Sequence, residues 1–251
     1  MKKVDIKKVT QTQTRAYERF HKKTALSSVP QFELMPDDLP DIMQKSYYKS
    51  YPRFPEVILP KPTPNKGPLH EALQLRSSSR AYSAKPVSIK QLSTLLYFSA
   101  GMSNNAKRFY PSGGARYGLE TYLITLNTKL KNGIYHYYVP NHSLEKLLTI
   151  DTIDFKKAFT QYNQTWTPGM GFMIIITAVM DRIFVKYGER SYRFAHIEAG
   201  HMAQNMYLLS NQTGLGCCAI AGIVDTYFEK LLDINRKKEP IIYSAIFGRN
   251  G

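Results

Sequence analysis

The sequence has few of the features that mark secreted and membrane-spanning proteins. Among 251 residues there are two cysteines and one tryptophan, and no apolar run approaches the ~18 residues of a membrane span. The basic N-terminal stretch is followed by no apolar segment, so it is not typical of a secretory signal. Cys217 and Cys218 are adjacent, and a disulfide between neighbours would be strained. The sequence therefore favours a cytoplasmic protein with reduced thiols and no membrane association.

Acidic residues are also scarce, because 19 of them face 34 lysines and arginines, which gives a net charge of +15. The basic residues are scattered, and no nucleic-acid motif or aromatic-basic stripe accompanies them. A positive field raises the rate of encounter with anions. The charge is explained either by a generally basic soluble protein or by an acidic peptide partner. We expect no nucleic-acid partner.

Proline divides the chain into two parts. Residues 1–68 hold nine of the fourteen prolines and are predicted to form a Pro-rich N-terminal arm or subdomain, with a short helix near residues 15–23. Residues 69–251 are predicted to form the main domain. No repeat of fixed period is visible.

The main domain is expected to be α+β with a mostly antiparallel sheet flanked by helices. Ser88 and Gln91 form a capping box at the start of one helix, and Gly101 is expected to end that helix in left-handed geometry. An Asn-Gly turn at residues 132–133 predicts a hairpin. The other predicted helices cover residues 69–75, 143–148, 153–162, 191–213 and 225–232. The predicted strands cover residues 119–127, 134–139, 172–179, 218–222 and 240–247.

The pair Lys186-Tyr187 precedes the long helix that is predicted to begin near Ser191. A lysine near the end of an apolar strand becomes a usable base when desolvation lowers its pKa. The alternative is an exposed loop lysine. The catalytic candidates are therefore Lys186 and Tyr187.

The segment Arg76-Ser-Ser-Ser-Arg80 is the candidate phosphate site. Arginine binds phosphate through two parallel hydrogen bonds, and the serine hydroxyls add neutral donors. If the segment continues or caps the preceding helix, both guanidinium groups can point the same way. The alternative is a solvated helix end.

Four further features are weaker indications of function. The adjacent glycines of Pro111-Ser-Gly-Gly-Ala-Arg116 allow close approach of a backbone to a flat ring, although a plain loop is also consistent. His196 and His201 are five positions apart and point about 140° apart on a helix, which excludes a zinc pair. Gln204 and Asn205 lie on the same helix, which is expected to be mostly buried, and buried amides require partners. The two cysteines are interpreted as core residues, and no metal site is expected.

Taken in order, these motifs resemble the nitroreductase-like flavoenzymes, and within them the SagB-type azoline oxidases of thiazole/oxazole-modified peptide biosynthesis. The resemblance begins near residue 17. The matching pieces are His21-Lys-Lys-Thr24, Arg76–Tyr82, Pro111–Tyr117 with Leu119-Glu120, Gly133–Tyr137, Lys186–Arg193, Glu198–His201 with Gln204-Asn205, Gly214–Gly216 and Phe247–Arg249.

The resemblance implies the FMN-dependent nitroreductase fold in an intertwined homodimer with two interfacial flavin sites. Arg76, Ser77, Ser78 and Arg80 would hold the phosphate and ribityl chain. Ser112, Gly113 and Gly114 would approach the ring from the partner subunit, and the backbone at Ala219, Ile220 and Gly222 would face it. Arg249 completes the candidate cofactor-binding set. Residues 69–251 would be the FMN-dependent domain.

The resemblance also implies a reaction. A cyclodehydratase partner would form thiazolines or oxazolines in a precursor peptide, and this protein would oxidise them to azoles. Lys186, assisted by Tyr187, would remove the α-proton while the flavin accepts hydride. Ala219-Ile-Ala-Gly222 stands where many nitroreductases carry Pro-x-Glu-Gly, which weakens the alternative of an NAD(P)H-dependent nitro or quinone reductase. A flavin-free docking subunit is the remaining alternative.

Overall fold

A six-stranded antiparallel sheet forms the centre of the fold. The computed structural model describes residues 15–31, 35, 48–49, 52–53, 55–56, 58–60, 67–103 and 105–250. Neighbouring strands follow the order β3-β2-β1-β4-β6-β5, and each neighbouring pair is antiparallel. The strands are β1 (Leu119–Thr125), β2 (Gly133–Tyr138), β3 (Ser143–Thr149), β4 (Phe172–Ala178), β5 (Leu215–Ile220) and β6 (Ile241–Arg249). The predicted α+β class, antiparallel sheet and hairpin are confirmed.

Helices cover both faces of this sheet. They are α1 (Ala16–Thr24), α2 (Pro68–Leu75), α3 (Ile89–Ala100), α4 (Phe155–Ala158), α5 (Gln161–Gln164), α6 (Met180–Tyr187), α7 (Ser191–Thr213) and α8 (Asp225–Leu232). The long helix α7 ends at Gly214, whose φ of 69° places it in the left-handed region, as expected for a helix stop. No helix in the described ranges is long and apolar enough to cross a lipid bilayer.

Strand β4 explains why the sheet has a core on each side. All seven of its residues are buried, as its continuous apolar run predicted. Ile174 and Ile176 pack with side chains of α3 and α7, whereas Met173 and Ile175 pack with Phe159 and α8 on the opposite face. Each such side chain contributes about 1.5–3 kcal/mol when it leaves water. The alternation of side chains along a strand divides this burial between the two faces.

The adjacent cysteines follow the same alternation in β5. Cys217 belongs to the core that includes α7, and Cys218 belongs to the core that includes α8. Both thiols are buried and free. Their interpretation as core residues is confirmed.

The capping box of α3 forms as predicted, but its C-terminus differs. The Gln91 amide donates to Ser88 Oγ at 3.2 Å, and the Ser88 amide donates to Gln91 Oε1 at 3.0 Å. Gly101 has φ −76° and ψ −166°, so its predicted left-handed geometry is wrong. The glycine is required for a different reason, because a Cβ at this position would collide with the carbonyl oxygen of Tyr97.

The predicted helix over residues 143–148 is also wrong, because these residues form the edge strand β3. His142 turns the chain back with φ 47°, and its ring is held by Tyr137 Oη at 2.7 Å and Ser93 Oγ at 2.8 Å. The turn brings β3 against the free edge of β2. Likewise, the predicted helix over residues 153–162 is divided into the short helices α4 and α5.

We expect Gly101→Ala to lower the free energy of unfolding by about 2 kcal/mol or more, because the added methyl group must displace backbone that has no room to move. Urea unfolding of the purified protein measures this change. Gly169→Ala is the matched control, since a Cβ there would meet no atom within 4 Å. Equal unfolding free energies for the two variants would contradict the steric explanation.

Candidate functional site

The arginine–serine segment (residues 76–80) does not continue a helix. Helix α2 ends at Leu75, and Arg76 is its C-terminal cap. The segment then follows the outer edge of β5, where the Ser79 amide donates to the Cys217 carbonyl at 2.9 Å. Of the two arrangements that the sequence left open, the segment therefore caps the helix and does not continue it. The positions of its two arginines are set by contacts with the sheet and with α7.

Tyr207 of α7 connects the arginine–serine segment to β5. Its Oη accepts a hydrogen bond from the Ala219 amide at 2.8 Å and forms another with Ser78 Oγ at 3.0 Å. The Arg76 guanidinium lies 5.6 Å from the centre of the Tyr207 ring. Sequence reasoning did not identify Tyr207, because an aromatic residue on a half-buried helix usually indicates packing.

The arginine–serine segment carries positive charge without a partner in the described part of the chain. Arg76, Ser77, Ser78 and Arg80 are exposed, and neither arginine forms an ion pair with a described residue. The Arg80 guanidinium lies 5.9 Å from the centre of the Trp166 ring. Two free guanidinium groups with neighbouring hydroxyls form a donor set that suits a phosphate.

Four further predicted cofactor-binding residues lie near the two ends of β5: Ala219, Ile220, Gly222 and Arg249. Ala219 and Ile220 end the strand, whereas Gly222 lies beyond it, so the strand predicted over residues 218–222 begins and ends earlier. The Gly222 carbonyl accepts hydrogen bonds from Thr160 N and Asn163 Nδ2, both at 3.1 Å. Arg249 lies at the opposite end of β5, paired with Leu215.

Lys186 and Tyr187 lie in a second group of residues, together with the glycine loop (residues 111–117). Lys186 is exposed in the last turn of α6, a helix that follows β4. A Cβ on Gly114 would collide with Tyr187 Oη and would lie 2.5 Å from Lys186 Nζ. The Tyr187 ring packs edge-on against Phe194 with their centres 4.8 Å apart. The absence of a side chain at Gly114 therefore makes room for the lysine amine and the phenol.

Glu198 of α7 holds the glycine loop by two hydrogen bonds. Its Oε1 accepts hydrogen bonds from Ser112 Oγ at 2.8 Å and from the Gly113 amide at 3.0 Å. The residue is only 2% exposed, and burial raises the pKa of its carboxyl group. Sequence reasoning noted Glu198 only as part of a motif, because a single acidic residue on a helix is usually solvated.

Helix α7 also holds the remaining polar residues of the motif. Asn205 is half-buried and donates its Nδ2 to the Phe109 carbonyl at 3.0 Å, so it has the partner that was expected. Gln204 is exposed, so its predicted burial is wrong. The ring of His196 donates its Nδ1 hydrogen to the Tyr192 carbonyl at 2.8 Å. In the described ranges no group of three or more potential ligand residues could hold a metal ion.

The two groups of candidate residues contact different parts of α7 within one chain. Glu198 contacts the glycine loop, and Tyr207 contacts the arginine–serine segment. At 1.5 Å per residue, their nine-residue separation corresponds to about 14 Å along the helix axis. The structure thus brings Lys186 and Tyr187 to the glycine loop, and Arg76 and Ser78 to Ala219.

Helix α1 covers the start of α7. The Glu189 carboxylate accepts hydrogen bonds from the first amides of α1, those of Ala16 at 3.0 Å and Tyr17 at 3.2 Å. His21 is buried against Tyr192, with its Nδ1 3.1 Å from the Tyr192 Oη. Burial, followed by the charges of Arg236 and His196, lowers the pKa of His21 to about 4.

A cavity of 160 Å³ lies between this part of α1 and the end of β5. Its lining includes His21, Tyr192, His196, Ile220 and Tyr243. The His21-x-x-Thr24 element therefore borders the strand end that was predicted to face a cofactor.

Comparison with known proteins identifies the family. Residues 73–249 match the Nitroreductase family, and the chain belongs to this family of oxidoreductases. It is 30% identical over 180 residues to MJ1384 of Methanocaldococcus jannaschii, whose name assigns it to the nitroreductases. The match covers 71% of this chain and 89% of MJ1384.

Two further relatives are named for peptide processing. The microcin B17-processing protein McbC of Escherichia coli is 28% identical over 169 residues, which cover 64% of this chain and 62% of McbC. The trifolitoxin-processing protein TfxB of Rhizobium leguminosarum bv. trifolii is 28% identical over 145 residues, which cover 56% of this chain and 38% of TfxB.

The solved structures confirm the nitroreductase-like fold. A chain of the E. coli microcin synthetase McbBCD complex with truncated pro-MccB17 bound superimposes with a TM-score of 0.77 at 23% identity, covering 100% of this chain and 99% of that chain. A family member from Desulfovibrio desulfuricans in complex with FMN superimposes with a TM-score of 0.52 at 18% identity, covering 74% of this chain and 88% of that chain.

We expect His21 to make the protein less stable as the pH falls. The unfolded chain binds a proton at this histidine below pH 6.5, but the folded chain does so only near pH 4. Stability is therefore lost as the pH falls through this window, by about 3 kcal/mol at most.

Urea unfolding of the wild type and of His21→Gln at several pH values measures this loss. The difference between the two proteins isolates His21 from buried carboxyl groups that it does not contact, such as Glu198, whose raised pKa acts with the opposite sign. His70→Gln is the control and should follow the wild type. Parallel stability curves for the wild type and His21→Gln would refute the prediction.

Proposed function

We propose that this protein is an FMN-dependent azoline oxidase that converts thiazolines and oxazolines of a precursor peptide into thiazoles and oxazoles. The observation that carries the proposal is the packing of Lys186 and Tyr187 on Gly114. This arrangement places an amine and a phenol together on the glycine loop, in the space that a side chain at Gly114 would fill. The names of McbC and TfxB assign those proteins to peptide processing, which also supports a peptide substrate for this protein.

The residues present fit a flavin mononucleotide. We propose that Arg76, Ser77, Ser78 and Arg80 bind its phosphate and ribityl chain, and that the backbone at Ala219, Ile220 and Gly222 faces its ring. Arg249, at the opposite end of β5, is the remaining proposed cofactor-binding residue. The unpaired charges of the two arginines match a phosphate dianion. When bound, FMN would supply the two-electron acceptor that the side chains of this protein lack.

Lys186 is the proposed general base. Aromatisation of an azoline removes a proton from the α-carbon of the ring and a hydride equivalent from the β-carbon. Lys186 would take the α-proton once the bound substrate covers its exposed side chain, because desolvation favours the neutral amine. Its Nζ lies 5.3 Å from the centre of the Tyr187 ring. Tyr187, held by Phe194, positions the amine and offers a hydroxyl beside it. Such general-base assistance raises rates by about 10²–10⁴-fold.

A homodimer would unite the two groups of residues that α7 separates. An apolar depression of 320 Å³ lies beside α7, and Leu69, Phe98, Phe109 and Leu208 contribute to its lining. Leu69 and Phe98 are 65% and 45% exposed. We propose that a second copy covers this surface and brings Ser112, Gly113 and Gly114 of one protomer to the arginine–serine segment of the other.

The other proposed partners are the precursor peptide and a cyclodehydratase that forms its azoline rings. The McbBCD complex, one chain of which superimposes on this protein, has a truncated pro-peptide bound. This supports the proposal that the protein acts on a peptide within an assembly. The net charge of +15 would favour encounters with acidic parts of such partners.

Two measurements on the purified protein test the proposed function. Its absorption spectrum should show bound flavin, and incubation in air with a short synthetic peptide that carries one thiazoline should remove two hydrogen atoms from the peptide, as detected by mass spectrometry. Rapid bleaching by NAD(P)H without peptide oxidation would favour a nitro or quinone reductase. A colourless protein that still bound its partners would indicate a docking subunit.

We expect Lys186→Ala to retain its flavin spectrum and to lose about 10²–10⁴-fold in turnover, because only the base is removed. Steady-state oxidation of the thiazoline peptide measures the loss. Lys129→Ala, which removes an equally exposed lysine from a loop after β1, should behave as the wild type. Normal turnover by Lys186→Ala would show that another group takes the proton.

We expect Arg76→Gln and Arg80→Gln each to weaken FMN binding by about 10- to 100-fold, because each removes one charged donor to the phosphate. Fluorescence titration of the flavin-depleted protein with FMN measures the dissociation constant. Arg19→Gln, on the exposed side of α1, is the control. Unchanged binding by both variants would place the phosphate elsewhere.

A further inference from the structure

The glycine loop holds two residues that carry a Cβ in an unfavourable backbone conformation. Gly114, Ala115 and Tyr117 all have positive φ values, of 59°, 52° and 48°. Residues with a Cβ rarely adopt this left-handed conformation, and two of these three have one. A short loop keeps such a shape only when the surrounding structure imposes it. The contacts that impose it are therefore of functional interest.

The loop is held by its own backbone turns, by a hydrogen bond from Arg116 Nε to the Arg182 carbonyl at 2.8 Å, and by three hydrogen bonds that involve Glu198 or Ser112. Two of these three end on one atom. Glu198 Oε1 accepts from Ser112 Oγ at 2.8 Å and from the Gly113 amide at 3.0 Å. Ser112 Oγ in turn accepts from the Tyr117 amide at 2.9 Å, which joins the two ends of the strained stretch. The carboxyl group of Glu198 thus anchors the start of the loop, and Ser112 extends this support to Tyr117.

The second oxygen of Glu198 indicates that the residue is not present for stability alone. Its Oε2 is buried and has no hydrogen-bond partner among the residues that the structure describes. Glu198 also forms no ion pair there. A buried carboxyl group with an unsatisfied oxygen lowers stability unless another gain offsets it. The gain in this structure is the shape of the glycine loop.

The shape of the loop determines where the candidate catalytic pair, Lys186 and Tyr187, can lie. The missing side chain of Gly114 leaves the space in which Tyr187 Oη and Lys186 Nζ lie. Gly113 faces Phe194, which also packs against the Tyr187 ring. If the loop relaxed, Gly114 would move and the amine and phenol would lose their common support.

We propose that Glu198 is the positioning residue that fixes the glycine loop and, through it, the placement of Lys186 and Tyr187. The role in the reaction rests on the proposed function. The role in holding the loop does not, so the two parts can be tested separately. Glu198 itself is buried below the loop and does not need to touch the substrate.

Trypsin provides a test of the loop that is independent of activity. Arg116 is exposed within the loop, and cleavage after it requires the loop to open. Loss of both hydrogen bonds in Glu198→Ala should accelerate this cleavage about tenfold or more. Glu198→Gln retains the Oε1 acceptor and should remain close to the wild type. Ser112→Ala removes one of the two donors to Glu198 and should give a smaller acceleration than Glu198→Ala.

The matched control is Glu239→Ala. Glu239 also accepts two hydrogen bonds at its Oε1, from Tyr122 Oη at 2.9 Å and Thr177 Oγ1 at 2.7 Å, but it lies against the sheet and not against the loop. Its replacement should leave cleavage after Arg116 and the oxidation rate unchanged. Acceleration in this control equal to that in Glu198→Ala would show a general loss of stability and would overturn the proposal.

Kinetics test the second part. With the thiazoline peptide, Glu198→Ala should retain flavin and lower kcat about tenfold or more with a smaller change in KM, and Glu198→Gln should restore most of kcat. Failure of Glu198→Gln to restore either cleavage resistance or kcat would overturn the proposal, as would wild-type behaviour of Glu198→Ala.

If Glu198→Ala does not fold, Ser112→Ala provides the test instead. Unchanged cleavage and unchanged kcat in Ser112→Ala would overturn the proposal. A wild-type protein that does not oxidise the peptide would refute the proposed function, whereas the trypsin result would still decide the role of Glu198.

Discussion

The packing of α7 across the sheet is the constraint on which the rest of the structure depends. Its buried residues recur at intervals of three to four positions and form one continuous stripe: Ser191, Ala195, Glu198, Ala199, Met202, Ala203, Met206 and Ser210. Small side chains in this stripe allow the helix to approach the sheet closely, and the two methionines fill the remaining space beneath it. A helix held over its whole length gives both groups of candidate residues fixed positions. Glu198 supports the glycine loop from the stripe itself, and Tyr207 supports the arginine–serine segment from its margin.

Most of the fold could be predicted from the sequence because the responsible signals are local. The run at residues 172–179, the Asn-Gly turn and the Ser88–Gln91 capping box each determine structure through their own few residues. The errors arose where contacts between residues far apart in the sequence determine the local structure. Strand β3 depends on the free edge of β2 and on the His142 ring held by Ser93, forty-nine positions away. Gly101 was assigned the wrong geometry because the sequence does not show how closely the carbonyl of Tyr97 approaches.

The candidate site was predictable in its residue types but not in its grouping. Motif resemblance identified the arginine–serine segment, the glycine loop and the Lys186-Tyr187 pair, yet it did not show that the last two share one surface. Glu198 and Tyr207 were missed as contacts because the ordinary interpretation of each residue type is different from its role here. A single acidic residue on a helix is usually solvated and an aromatic residue usually indicates packing, so the polar atoms that make the contacts give no separate signal in the sequence.

The placement of unsatisfied polar atoms gives an independent indication of where function lies. Buried side-chain atoms without hydrogen-bond partners, within the described ranges, include Glu198 Oε2 below the glycine loop and Tyr110 Oη immediately before it. Trp166 Nε1, also unsatisfied, belongs to the ring beside the Arg80 guanidinium. Each such atom lowers stability, and native proteins retain few of them. Violations of this rule are expected at functional sites, where another requirement outweighs stability. Three of the seven such atoms in the described ranges lie beside the two groups of candidate residues, whereas His21 Nε2 and Glu229 Oε1 lie 4.0 Å apart where α1 packs on α8. The pattern therefore marks the packing of α1 as well as the candidate site.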